Sequence, residues 1–416
     1  MKTYQLNLNA ARKRLSVSTG FVHACYEQVS SCETIPIFEN FCYALALLRS
    51  KNAENVAEAA QLIERLLPFE VEGNFPVYLH EYPQLRDRCL PLRLLPMTHF
   101  VLSEFATILA PDLRKRLEGL MGRLLSSGYK LSVQNALSPP FEWVLKAYFE
   151  PNRLPDIQPQ TLQQWSELVA PMQMAAQRGA NIQPLLDRAL TLWHPELQVY
   201  VAQEKREGPH IAPTLFDLFV AFQQGQLPPR LLEDHPTHLC AALIQPLEHP
   251  LNWQAHPIPL VIEQADQPLA IYWGTNHVVH TLSCEAKRTQ AKLYQEQDQL
   301  ELRFTLAPTF TEESAMEIDF FLNLHPDHQF SVDGRPATTF HIGQPLEIRS
   351  KERAFSLKFE LLEGEGDFLG HLLQGNRSTQ ALPKEQLRMQ AYDWQISLRT
   401  LRRSAACTLR AMIIFS

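Results

Sequence analysis

The sequence predicts an α+β chain in two parts, an amino-terminal α/α toroid of helical hairpins and a carboxy-terminal antiparallel β-sandwich. Two changes of pattern carry this reading. Apolar residues recur near the 3.6-residue helical period over the first three-fifths of the chain, and beyond about Pro257 they alternate with polar ones at the period of a strand with one solvated face. Between the two, eighteen of the thirty prolines lie from Pro139 to Pro268, which restricts that zone to short helices and ordered connections. A length of 416 residues suits two large domains. The expected boundaries are an extended lead-in over 1–33, a helical domain over 34–250 and a strand domain over 251–416.

The lead-in is polar, with Arg12, Lys13 and Arg14 together and no sustained period beyond room for one short helix. From Thr34, Phe38, Phe41, Cys42, Leu45 and Leu48 fall at helical spacing, while Ala44, Ala46 and Leu47 fill the other side. A helix apolar nearly all round is buried on most of its surface. Asn52-Ala53-Glu54 then opens a helix with Val56, Ala59, Ala60, Ile63 and Leu66 on one face. The pair reads as a hairpin of an inner and an outer member. Met97–Leu109, followed by a stripe of Leu113, Leu117, Leu120 and Leu124 that Gly128 is expected to stop, repeats the pattern about 59 residues later. Pro139–Phe149 with Leu162–Gln177, then Pro213–Gln223 and Pro236–Ile244, continue it.

In the strand domain Leu300, Leu302, Phe304 and Leu306 alternate with charged and polar residues. Met316–Leu322 and Phe355–Leu361 do the same, and Asp333-Gly334 signals a hairpin.

Charge and composition exclude several functions. Thirty-eight Lys and Arg against forty-five Asp and Glu give a net charge of −7, so no basic footprint for nucleic acid is expected. The apolar runs Leu239–Ile244 and Met412–Phe415 are far shorter than a membrane span, and the first twenty residues lack the apolar core of a secretory signal. A cytoplasmic protein without membrane contact is expected. Seven cysteines (Cys25, Cys32, Cys42, Cys89, Cys240, Cys284 and Cys407) form no CxxC pair and read as reduced thiols rather than a disulfide scaffold or zinc knuckle. No metal and no cofactor is expected.

The densest polar cluster is the stretch Gly73–Pro83, which brings Asn74, Tyr78, His80, Glu81 and Tyr82 close together, with Arg86 and Asp87 just beyond. Tyr78, His80 and Tyr82 share parity, so an extended backbone would point them one way. Imidazole and phenol move protons, and an amide holds a carboxylate or oxyanion. The competing reading is a polar loop whose side chains bond the backbone. Asn135, Glu142 and Trp143 could line a cleft, against a core Trp beside a solvated Glu; Trp193-His194-Pro195 reads in the same two ways. The pairs His277/His280 and His325/His328 read as surface residues rather than ligands, because i,i+3 spacing on a strand places them on opposite faces. Gly364–Gly370 reads as a turn, lacking the Lys and following helix of a phosphate loop.

Phe340-His341-Ile342-Gly343, the strand Phe355–Leu361, Gly366–His371, Gly375-Asn376-Arg377 and Tyr392-Asp393-Trp394, behind a domain of helical hairpins, resemble the polysaccharide lyases of the heparinase II/III and alginate lyase group. The resemblance implies β-elimination on an acidic, uronate-containing polysaccharide. It further implies Asn74 as neutraliser of the sugar carboxylate, His80 as base and Tyr82 as acid, with Tyr78, Arg86, Asn135 and Arg377 binding substrate. The alternative is a non-catalytic glycan- or protein-binding scaffold that keeps the lyase-like fold.

Overall fold

The computed structural model describes residues 2–24, 34–159, 162–191, 193–194, 197, 199–200, 214–225, 227, 229–247, 261, 269–274, 279–285, 290–308, 315–323, 328–350, 353–375, 393–400 and 405–416. The chain divides into two units, Met1–Thr191 with Pro213–Asn252, and Leu192–Ala212 with Trp253–Ser416. Of the stretch 192–212, the described residues 193–194, 197 and 199–200 fall in the second unit.

The first unit begins with helix α1 (Thr3–Lys13), within the lead-in that left room for one short helix. Its Leu6, Leu8, Ala10 and Ala11 are buried. Asn7 and Thr3 are buried too, because their side chains bond the carbonyls of Leu239 and Ile244. Those two polar residues hide the amphipathic pattern in the sequence.

Helix α2 (Ile37–Arg49) has eleven of its thirteen residues buried, as its all-round apolar surface requires. Helix α3 (Ala53–Leu66) buries a single face made of Ala59, Leu62, Ile63 and Leu66. Asn52 caps it, accepting from the Glu54 amide at 2.9 Å. Helices α4 (Leu90–Phe105) and α5 (Pro111–Val133) form the next hairpin, and α6 (Pro139–Phe149) packs on α7 (Leu162–Gln177). Short helices α8 (Gln183–Leu190), α9 (Leu215–Gln223) and α10 (Pro229–Leu232) follow, and a 3-10 segment covers Pro236–Leu243.

Two boundaries differ from expectation. Helix α4 starts at Leu90 and carries both Pro91, in its first turn, and the buried Pro96, so the hairpins do not begin 59 residues apart. Gly128 does not stop α5, which runs five residues further. A Cβ there would lie 2.6 Å from Leu92 Cδ2 and 3.0 Å from Leu145 Cδ2. The glycine is a notch through which α4 and α6 approach α5.

The inner elements pack in a closed circuit: α2 on α4, α4 on α7, α7 on α9, α9 on Pro236–Leu243, and that segment back on α2. Helix α1 lies against both α2 and the 3-10 segment.

Among the described residues the second unit holds two six-stranded antiparallel sheets and a small two-stranded one, β1 (Trp193–His194) with β2 (Val199–Tyr200). The remaining strands are β3 (Leu269–Gly274), β4 (Val279–Glu285), β5 (Gln290–Glu296), β6 (Gln299–Leu306), β7 (Ala315–Asn323), β8 (Gln329–Val332), β9 (Thr339–His341), β10 (Pro345–Arg349), β11 (Ala354–Glu363), β12 (Phe368–Gln374), β13 (Trp394–Thr400) and β14 (Cys407–Phe415). One sheet has the order β5-β6-β14-β11-β10-β8 and the other β3-β4-β7-β13-β12-β9. Both contribute to a single apolar core. Phe359 of β11 meets Phe320 of β7 and Phe340 of β9, each at 5.8 Å between ring centroids. Residues 300–306 and 355–361 alternate buried and less buried, as their sequence pattern demands.

Asp333-Gly334 does make a tight turn, Val332 and Arg335 exchanging backbone hydrogen bonds at 2.8 and 3.0 Å. It does not pair the strands on either side: β8 bonds β10, whereas β9 bonds β12 in the other sheet. The Gly364–Gly370 stretch is the connection from β11 to β12 and the start of β12. A Cβ on Gly370 would stand 2.1 Å from Phe340 Cζ, so close ring packing explains that glycine.

Burial of one carboxyl in the helical unit, among several, shifts its protonation strongly. Glu39 of α2 is almost wholly buried, and burial pushes its carboxyl up from 4.5 to about 7, with Arg93 pulling weakly the other way. The folded form therefore holds the proton more tightly than the unfolded chain. Glu39's contribution to stability is complete below pH 4.5 and is lost as pH rises through 7, a swing of about 3 kcal/mol. Thermal unfolding at pH 5 and pH 8 should show a steeper loss of stability with pH in the native protein than in Glu39→Gln; parallel pH profiles would contradict this.

Candidate functional site

Residues 71–87 connect the α2–α3 hairpin to α4. A tight turn opens the connection, Val71 and Asn74 exchanging backbone bonds at 2.8 and 3.0 Å, with Glu72 and Gly73 at positive φ. Gly73 is required there, since a Cβ would approach the Arg123 carbonyl oxygen to 2.6 Å. Asn74 is buried with its amide engaged on both sides. Its Nδ2 donates to the Asp87 carbonyl at 2.9 Å, and its Oδ1 accepts from the Phe75 amide at 2.7 Å.

Leu79–Glu81 is a 3-10 turn, so the shared parity of Tyr78, His80 and Tyr82 does not align their side chains. Tyr78 and His80 stack on one another, with ring centroids 5.8 Å apart and 12° between planes. Tyr82, 46% exposed, turns instead to Phe69, edge to face at 5.5 Å. Glu81 is buried. It accepts from the Tyr78 amide at 3.2 Å and pairs with Arg86 at 3.1 Å, the Arg86 side chain remaining 74% exposed. The loop thus brings Tyr78 to His80 and Arg86 to Glu81, and commits Asn74 to the backbone.

Asn135 lies on a different element, in a left-handed turn (φ 51°) beyond the end of α5. Arg377 falls outside the described residues, as do His277 and His325. His280 is not at the surface but fully buried, its ring stacked 5.5 Å from Trp273. His328 packs edgewise on Phe330 and Trp394. His194 is buried and bonds the Tyr272 carbonyl at 2.8 Å. Trp143 is core, and Glu142 is exposed and pairs with Lys146. Among the described residues no group of three or more His, Cys, Asp or Glu is arranged to hold a metal.

A second constellation is built where inner elements end together. Arg49, the last residue of α2, makes a two-pronged pair with Glu104 near the end of α4, at 2.6 and 3.1 Å, and also donates to the Ala242 carbonyl. Gln245, just past the 3-10 segment, donates to Glu104 and accepts from Gln177 at 2.8 Å. Gln173 of α7 donates to the Leu243 carbonyl at 2.9 Å, and Gln223, the last residue of α9, donates to the Gln245 carbonyl at 2.5 Å. The carboxy-terminal ends of α2, α4, α7 and α9 are therefore gathered at one place.

An open cavity of about 540 Å³ lies there, lined by His99, Ser103, Glu104, Gln177 and Arg178. His99 and Ser103 are one turn apart on α4, so they share a face. Tyr148 of α6 stands edge-on to His99 at 6.4 Å, and the Arg178 guanidinium lies 4.5 Å over the Tyr148 ring. Burial, and next the Arg178 charge, hold His99 below the usual imidazole range. Gln177 is within hydrogen-bonding reach of the ring. Yet Nε2 of His99 is buried and has no partner among the described residues. A neutral imidazole with a vacant nitrogen, beside a guanidinium and a phenol, can take a proton from a bound anion and stabilise its charge. Along α4, His99 of the cavity lies nine residues beyond Leu90, about 14 Å at 1.5 Å per residue.

Sequence reasoning missed His99, Tyr148, Gln177 and Arg178. A usable signal was present: polar His99 and Ser103 interrupt the apolar surface of an inner helix near its end, and Gln173 and Gln177 do the same on α7.

Replacing Asn74 by Ala strips partners from the Phe75 amide and Asp87 carbonyl and should destabilise the protein by about 1–3 kcal/mol. His80→Ala, at an exposed position, should stay within about 1 kcal/mol. Denaturant unfolding of the two variants separates the structural residue from the available one.

No protein-family model matches the sequence, and no curated protein matches it. Among solved structures, heparinase III is similar at a TM-score of 0.41 and 9% identity, over 100% of this chain and 85% of that one. At that level the likeness adds nothing to the geometry described above.

Proposed function

We propose that the helical unit binds an acidic, uronate-containing saccharide in the cavity around His99 and cleaves it by β-elimination, within a toroid-and-sandwich layout of the heparinase type. The carrying observation is His99 lining an open cavity with Arg178, its buried Nε2 without a partner among the described residues and Tyr148 edge-on to its ring. Arg178 and Gln177 hold the sugar carboxylate, which acidifies the adjacent C–H. The His99 imidazole takes that proton. The C–H electron pair forms the new double bond as the glycosidic C–O bond breaks, and the Tyr148 hydroxyl protonates the leaving oxygen. On this reading the three roles fall to Arg178 with Gln177, His99 and the neighbouring Tyr148 rather than to Asn74, whose amide is occupied.

A second reading has its own observation. The exposed His80 stacked on Tyr78, with the exposed Arg86 close in sequence, offers an aromatic and cationic face suited to holding a sugar without chemistry. Under it the protein is a non-catalytic glycan-binding scaffold.

The test is a panel of uronic-acid polymers, followed by the ultraviolet absorbance of the unsaturated sugar. His99→Gln and Tyr148→Phe should each lower turnover at least about 100-fold with folding intact. Because His99 is held below the usual imidazole range, the acid limb of the rate profile should lie below pH 6.5. Silence across the panel, with binding lost in His80→Ala, would favour the scaffold. Loss of product in His80→Ala and Tyr82→Phe but not in His99→Gln would move catalysis to the loop.

A further inference from the structure

Cys42 and Cys240 are 198 residues apart in sequence and meet inside the helical unit. Cys42 lies on α2 and is fully buried; Cys240 lies in the 3-10 segment Pro236–Leu243, which packs on α2, and is half-buried. After burial, the neighbouring Cys240 is the next influence that raises the Cys42 thiol. Cys240 Sγ also donates to Glu39 Oε1 at 4.0 Å, one helical turn before Cys42. The other oxygen of Glu39 is buried and has no partner among the described residues. Two thiols and a carboxylate thus share one small space, and only one of the thiols is open to an outside reagent. The other described cysteines are Cys89, Cys284 and Cys407.

We propose that Cys42 and Cys240 are a reversible disulfide pair, closed by exchange with a small-molecule disulfide of the glutathione type, which clasps α2 to the segment Pro236–Leu243. Exposure sets the order of events. Cys240 passes its proton to Glu39, and its sulfur attacks one sulfur of the small disulfide. The S–S bond breaks, and the departing small thiolate takes the proton from Glu39. A mixed disulfide now sits on Cys240. Burial keeps the Cys42 thiol protonated, so Cys42 acts second. It passes its proton to the freed Glu39 carboxylate and attacks the Cys240 sulfur, and the second small thiolate leaves with that proton. Two protein thiols are oxidised and one small disulfide is reduced to two thiols.

The clasp has a consequence for the cavity, and that part alone rests on the function proposed above. Arg49 follows Cys42 by seven residues, and Gln245 follows Cys240 by five. A cross-link fixes the register of the two elements that carry Arg49 and Gln245 to Glu104.

The full chain is incubated with oxidised glutathione and examined by intact mass and non-reducing peptide mapping. The expected result is loss of two hydrogens, one linked peptide pair containing Cys42 and Cys240, and a Tm rise of roughly 5–10 °C that dithiothreitol reverses. Cys42→Ser should retain glutathione on Cys240 and gain no Tm, and Glu39→Gln should close at least about tenfold more slowly. Failure to cross-link, a link from Cys240 to another cysteine, or glutathione trapped first on Cys42 would overturn the proposal. Product formation by the reduced protein reads the cavity separately, so the two conclusions can fail independently.

Discussion

The helical unit depends on the Arg49 guanidinium. Helix carbonyls at a carboxy terminus are unsatisfied and carry partial negative charge, and this unit gathers the carboxy-terminal ends of four helices. Arg49 answers that accumulation at its centre, holding Glu104 with two prongs and the Ala242 carbonyl with a third donor. Its cation also lies 5.2 Å over the Phe100 ring. Around it, glutamines rather than further charges complete the bonding, since an amide can donate to one carbonyl and accept from another group. The cavity exists because this knot fixes the helix ends while leaving their outer surface open.

Arg178 then takes on a distinct character. Arg49 is matched by Glu104, whereas Arg178 lies over the Tyr148 ring and its charge helps to hold His99 low. A ring that stays neutral beside a cation can accept a proton without having first to lose one. Glu39, Cys42 and Cys240 lie on two of the elements that the knot ties, so their chemistry and the cavity share a framework.

Local periodicity was legible in the sequence wherever one face alone meets solvent. Helix α3 and strands β6 and β11 show it, because burial repeats at 3.6 or at two. Helix α1 escaped because Thr3 and Asn7 are polar by composition and buried by virtue of carbonyls more than 230 residues away. Gly128 misled for the opposite reason: a residue that often ends helices is here selected by two leucine side chains crossing it. The loop at 71–87 was recognisable as a polar cluster, but its geometry was not. Parity arguments need an extended chain, and a 3-10 turn at Leu79–Glu81 turns Tyr82 away from the Tyr78–His80 stack. The cavity was the least legible part, because His99 and Arg178 are brought together by the packing of α4 on α7 and by no spacing along the chain.

The crossing at Asp333-Gly334 has an effect on solubility. Strands β8 and β9 are each the outermost member of their sheets, and outermost strands are templates on which other chains add. Joining them through so short a passage keeps those two borders together. Of the opposite borders, β5 is largely exposed and carries Lys292 among its polar residues, while Val261 bridges Ile271 on β3. The strand unit therefore discourages fibre-like growth with a charge at one margin, a bridging residue at another, and a covalent tether between the remaining two.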